Sequence, residues 1–85
     1  MDIKGLMMHH TIGRILIDVG RKIRILRESA DMTQAELAKR LHIKQEAVAR
    51  IEKGQYNMRL STLIKIAAIF GRTLKITFAK RKGGV

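Results

Sequence analysis

Thr33-Gln34-Ala35-Glu36-Leu37-Ala38-Lys39-Arg40-Leu41-His42-Ile43-Lys44-Gln45-Glu46-Ala47-Val48-Ala49-Arg50-Ile51-Glu52-Lys53-Gly54 is the stretch on which the fold turns. It opens on a capping box, in which the Thr33 hydroxyl accepts from the Glu36 amide and the Glu36 side chain reaches back. Ala35, Leu37, Ala38 and Leu41 then form a small apolar stripe, which predicts a short helix. His42 and Ile43 make the turn. A second short helix is predicted from about Gln45 to Glu52, ended by Gly54, a natural C-terminal glycine. Ala47, Val48 and Ile51 are its inward side.

Upstream, Ile12, Ile15, Leu16, Val19, Ile23 and Leu26 recur at spacings of three and four, one face of a helix. Arg21, Lys22, Arg24 and Arg27 fall mostly off that face. Gly20 weakens the pattern, which places the helix start near Asp18 and makes the earlier part a separate turn or an arm. Residues 1–13 read as a lead-in, and Asp31 and Met32 as a break. Downstream, Gln55 to Arg59 is a polar loop, followed by a helix from about Leu60 to Phe70. Leu60, Leu63, Ile64, Ala67 and Ile69 are its apolar positions. Its first residue stays open, because Asn57, Arg59 and Ser61 could each stand at the cap. Gly71 ends it. In Thr73-Leu74-Lys75-Ile76-Thr77-Phe78 the period changes to strict alternation, which predicts a half-buried strand over residues 72–79. Residues 80–85 are a basic tail.

The expected architecture is one mostly helical domain over residues 14–71, with a terminal strand. A hydrophobic content of 46% favours a folded chain over a disordered one. Eighteen Lys and Arg against seven Asp and Glu give a net charge of +11, which favours a polyanionic partner. With no cysteine, disulfides and thiolate metal sites are excluded. No apolar run is long enough for a membrane span, no signal peptide is recognisable, and a cytoplasmic location is expected. Asp18, Glu28, Asp31 and Glu36 have no His or Cys partner at a spacing that suits acid–base chemistry. No enzyme, no metal and no cofactor is therefore expected. His9-His10, adjacent near one end, and Met1, Met7 and Met8 read as lead-in residues rather than ligands.

Two short helices joined by a tight turn form a known DNA-reading unit. The first crosses the phosphate backbone while the second lies in the major groove. Ala38 and Ala47 allow close approach, and Leu37, Ile43, Val48 and Ile51 lock the crossing angle. Thr33 to Ala38, Ile43 to Gly54 and Leu63-Ile64-Lys65-Ile66-Ala67, in that order, resemble the Xre (Cro/cI-type) helix-turn-helix family over roughly residues 20–71. The resemblance implies a lambda-repressor-like domain of four to five helices that binds a palindromic operator in double-stranded DNA. It also implies roles. Thr33 and Gln34 open the helix that holds a phosphate. Lys44, Gln45 and Glu46 open the recognition helix, with Ala49 and Arg50 one turn on, facing the groove. Lys53, Tyr56, Asn57 and Arg59 lie along the phosphates. The chemistry agrees: Gln pairs with adenine, Arg with guanine, and Glu accepts from cytosine. Glu46 opposes phosphates, so it reads a base or restrains Arg50.

The sequence departs from the family pattern in three places. His42 stands where Gly is usual, and His tolerates positive φ better than most residues. Lys44 replaces a Ser or Thr cap, which weakens the cap and adds a phosphate partner. A strand takes the place of a fifth helix. That strand resembles the ends of HipB- and HigA-type antitoxins, and so implies a homodimer paired through Leu74, Ile76 and Phe78, with a toxin as a possible partner. An intramolecular hairpin with Thr11 to Ile17 is the alternative. The charge makes this chain an awkward partner for basic toxins of the HigB class, leaving a larger kinase-type toxin or none. The expected function is an autoregulating repressor and antitoxin. A stand-alone regulator, or a basic nucleic-acid scaffold that reads no sequence, are the other readings. The Lys80-Arg81-Lys82 run is expected to be a solvated tail, with a phosphate or minor-groove role as the sharper alternative.

Overall fold

A computed structural model describes residues 3–80, with side chains described from Thr11 onward. The expectations for Met1, Met7, Met8, His9-His10 and Arg81-Lys82 lie outside the described side chains. Four helices follow in order: α1 (Ile3–Ser29), α2 (Gln34–Leu41), α3 (Gln45–Glu52) and α4 (Leu60–Ile69). None of the described helices is long and apolar enough to cross a membrane.

The core lies where the inward faces of these helices meet. Ile23 of α1, Leu37 and Ala38 of α2, Val48 and Ile51 of α3 and Ile66 of α4 are buried there, with Met32 from the α1–α2 turn. Val19, Leu41, Ile43, Met58, Leu63, Ile69 and Phe70 pack around them. Neither α2 nor α3 has more than eight residues, too few to be stable as isolated helices in water. Their shape is therefore held by this packing and by their caps.

The caps follow the sequence closely. Thr33 stands in extended conformation and closes the capping box with Glu36. His42 ends α2 in the left-handed region at φ 57°, and its amide reaches back to the Ala38 and Lys39 carbonyls. Lys44 precedes α3 without a side-chain cap. Arg59 stands before α4, also without one, which settles the start that the sequence left open.

Two expectations are corrected. First, α1 does not begin near Asp18; it runs unbroken through Gly20 from Ile3. Gly20 is buried, and a Cβ there would run into the carbonyl oxygens of Ile51 and Glu52. The glycine thus serves close contact between α1 and the end of α3, and its helix penalty is offset by that contact. Gly54 completes the junction: at φ 74° it suits a residue without a side chain, and a Cβ would strike the Ile17 backbone. Second, residues 72–80 form neither helix nor strand, and Phe78 is 99% exposed. A strand needs a neighbour for its ladder, and among the described residues of the single chain none is offered. The hairpin with Thr11 to Ile17 is excluded, because those residues lie within α1.

A third difference concerns charge. Arg27, read from the sequence as off the apolar face, is buried. Its Nε donates to Glu52 Oε2 at 2.6 Å and its Nη2 to Glu52 Oε1 at 3.1 Å, while Nη1 donates to the Met32 carbonyl at 2.7 Å. Only 11% of the Arg27 side chain and 3% of Glu52's is exposed. The hydrogen bond to Glu52 raises the Arg27 pKa above its usual value, although burial opposes the charge.

Two alanine substitutions in the same helix should separate contact from propensity. Gly20→Ala is expected to destabilise by about 1–3 kcal/mol through overpacking. Gly13→Ala, where an added Cβ meets nothing within 4 Å, should stabilise by about 0.5–1 kcal/mol. Urea unfolding of both variants checks the opposite signs; a stabilising Gly20→Ala would contradict the close contact.

Candidate nucleic-acid interface

The interface begins with how α3 is held. Val48 and Ile51 are buried against α1 and α2, and Ala47 is half-buried. One turn of helix separates Gln45 from Ala49 and Glu46 from Arg50, so these four share the opposite surface. Gln45, Glu46 and Arg50 are exposed, and Ala49 is half-buried between them. The result is a polar face on a rigidly seated helix, with a small residue at its centre where a duplex can approach. Glu46 and Arg50 stand four apart, but no ion pair joins them among the described residues. The restraint of Arg50 by Glu46 therefore finds no support, and both side chains face outward.

Cations flank this face in the sequence. Lys44 is exposed at the N-terminus of α3, and Lys53 is exposed just past its C-terminus. Tyr56, Asn57 and Arg59 are exposed in the loop before α4. Lys44, Arg50, Lys53 and Arg59 set four positive charges against the single carboxylate of Glu46, so the field over the α3 surface suits phosphates.

Two expected contact residues already have internal partners. The Thr33 hydroxyl accepts from the Glu36 amide at 3.1 Å and donates to Glu36 Oε1 at 3.0 Å. Its side chain is thus committed to the cap. Gln34 is half-buried, and its Nε2 donates to Glu52 Oε1 at 3.0 Å. Lys44, Gln45, Glu46, Ala49 and Arg50 are brought together on and beside α3, with Lys53, Tyr56, Asn57 and Arg59 following in chain order. Leu74, Ile76 and Phe78 lie apart from them in the terminal segment, where Ile76 is 56% exposed. Among the described residues no group of three His, Cys, Asp or Glu could hold a metal ion.

Sequence reasoning missed Arg27 and Glu52. A signal for them existed. Arg27 follows Ile23 by four residues, and Glu52 follows Ile51 at the end of an inward face, so opposite charges sat at the borders of two apolar stripes.

Comparison with known proteins shows the same helix-turn-helix motif. A family model described as helix-turn-helix matches residues 23–76. An HTH-type transcriptional regulator of Archaeoglobus fulgidus is 39% identical over 57 residues, covering 67% of this chain and 80% of the relative. One from Haemophilus influenzae is 44% identical over 50 residues, covering 59% of this chain and 51% of the relative. The immunity repressor protein of Bacillus phage phi105 is 36% identical over 53 residues, covering 62% of this chain and 37% of the relative.

The two ends of α3 should behave differently on mutation. Lys44→Ala is expected to weaken binding to all duplexes alike and to reduce the salt slope by about 1. Arg50→Ala should cost about 1–3 kcal/mol on a preferred site and relax the preference at one base pair. Fluorescence anisotropy over a set of single-base variants at several salt concentrations distinguishes them. A uniform loss for Arg50→Ala would remove it from the reading face.

Proposed function

The chain belongs to the helix-turn-helix family, and on that premise we propose that it is a repressor that reads operator DNA through α3. The observation that carries this reading is the division of α3. Val48 and Ile51 seat it in the core, while Gln45, Glu46 and Arg50 stay exposed, with no ion pair on Glu46 or Arg50 among the described residues. In a major groove, Gln45 pairs with adenine, Arg50 with the O6 and N7 of guanine, and Glu46 accepts from the cytosine amino group. Ala49 leaves room for the groove wall and a thymine methyl. Lys44, Lys53, Tyr56, Asn57 and Arg59 hold the phosphates on either side and fix the register. Gln34 grips a phosphate from the start of α2. The names of the Archaeoglobus regulator and the phage immunity repressor support this class of function.

The repressor acts as a homodimer. Leu74, Ile76 and Phe78 alternate with polar residues in a segment that has no ladder partner within the described chain, and pairing two copies would cover their apolar side chains. A two-fold axis there would present two recognition helices to half-sites about 34 Å apart, as a palindromic operator requires. The toxin partner inferred from the terminal segment's resemblance to antitoxins rests on residues 73–78 alone. The relatives' names support the regulator and repressor reading, which does not depend on a toxin.

Titrating a mixed-sequence duplex into the isotope-labelled chain tests the placement of α3. Amide shifts should concentrate at Gln34 and from Lys44 to Arg59. Shifts spread evenly over Arg21, Lys22, Lys65 and Arg72 as well would instead favour a basic scaffold. For the dimer, Ile76→Asp should move the sedimentation coefficient to that of a monomer, and an unchanged coefficient would remove the terminal segment from the interface.

A further inference from the structure

We propose that Glu52 is a positioning residue for DNA binding: through its hydrogen bond to Gln34 it holds the Gln34 amide ready for a backbone phosphate. This rests on the reading of Gln34 as a phosphate ligand. Glu52 closes α3, Gln34 opens α2, and the bond between them spans 18 positions of sequence at 3.0 Å. A carboxylate only accepts hydrogen bonds, so the nitrogen end of the Gln34 amide must face it. That nitrogen carries two hydrogens. One is held by Glu52 Oε1, and the other points away from the carboxylate and is free to donate to a phosphate oxygen.

Two features make the arrangement suited to a polyanion. A glutamine side chain free in solvent loses its rotamer freedom when it grips a ligand. Held by Glu52, Gln34 loses that freedom on folding instead, before DNA arrives. A carboxylate beside a phosphate would also repel it. Here both Glu52 oxygens receive hydrogen bonds from Arg27, whose charge cancels that of Glu52. The carboxylate can then orient Gln34 without pushing the duplex away.

A double-mutant cycle on the full chain tests this, with a mixed-sequence duplex two helical turns long as the probe, since phosphate contacts read no sequence. Gln34→Ala is expected to weaken binding at least threefold in the unmodified chain and less than twofold in a Glu52→Gln background, measured well below each variant's unfolding temperature. An equal factor in both backgrounds overturns the positioning role, because a purely structural Glu52 would leave the Gln34 effect intact. No effect of Gln34→Ala in the unmodified chain overturns the phosphate reading itself, and the positioning role with it. Should Glu52→Gln fail to fold, the side-chain amide protons of Gln34 in the unmodified chain decide. One proton should lie displaced by Glu52 and stay so as duplex is added, while its geminal partner shifts. Collapse of the displaced proton to the position of a solvated amide on DNA binding overturns the proposal.

Discussion

The buried pair of Arg27 and Glu52 is the interaction on which the rest of the domain depends. It joins the last turn of α1 to the last residue of α3, and through the Met32 carbonyl and Gln34 it reaches both sides of the Thr33 cap. Removing one partner of such a pair leaves an uncompensated buried charge and costs about 3–5 kcal/mol. A domain of this size has about 5–15 kcal/mol in total. Replacement of both residues by apolar ones is often harmless in other proteins, which separates the pair's two roles here. Apolar residues could fill the space, but only the charged pair leaves an acceptor facing Gln34.

Glycine provides the other constraint. Gly20 and Gly54 let α1 lie against the end of α3 closely enough that any side chain would collide with backbone. This contact and the ion pair both hold the C-terminal end of α3 against α1. Val48 and Ile51 then fill what lies between. The exposed polar face of α3 follows from that seating. Its four residues are turned outward because their opposite neighbours are committed to the core, and rigid seating lowers the ordering cost of binding.

The motif itself was legible because its signals are local. The Thr33 capping box, the left-handed turn at His42 and the bounds of α3 each depend on residues within one turn of one another. The exposure of Gln45, Glu46 and Arg50 followed from the same periodicity. What escaped the sequence was long-range. Gly20 looked like a helix breaker because propensity was weighed without the Ile51 and Glu52 carbonyls, 31 or more residues away. Arg27 looked like one more surface cation because its partner lies 25 residues on. The alternation at Leu74, Ile76 and Phe78 records a preference for a two-faced strand, but a strand exists only beside another, and periodicity cannot name the neighbour. Thr33 and Gln34 were rightly picked out as polar residues at a helix start, yet their internal hydrogen bonds became visible only when α2 and α3 were brought together.

The charge and the motif make separate contributions to function. The net charge of +11 brings the chain to any polyanion, and by itself would yield binding without preference. Preference has to come from side chains that reach base edges, the role proposed for Gln45, Glu46 and Arg50 of α3. Selection of binding sites from a pool of random duplexes at physiological salt is the most direct measure of which contribution governs. The recovered duplexes are predicted to share a short inverted repeat with half-site centres about 10 base pairs apart, one helical turn. Recovery of tightly bound duplexes with no common sequence would contradict the account and leave the chain a basic scaffold.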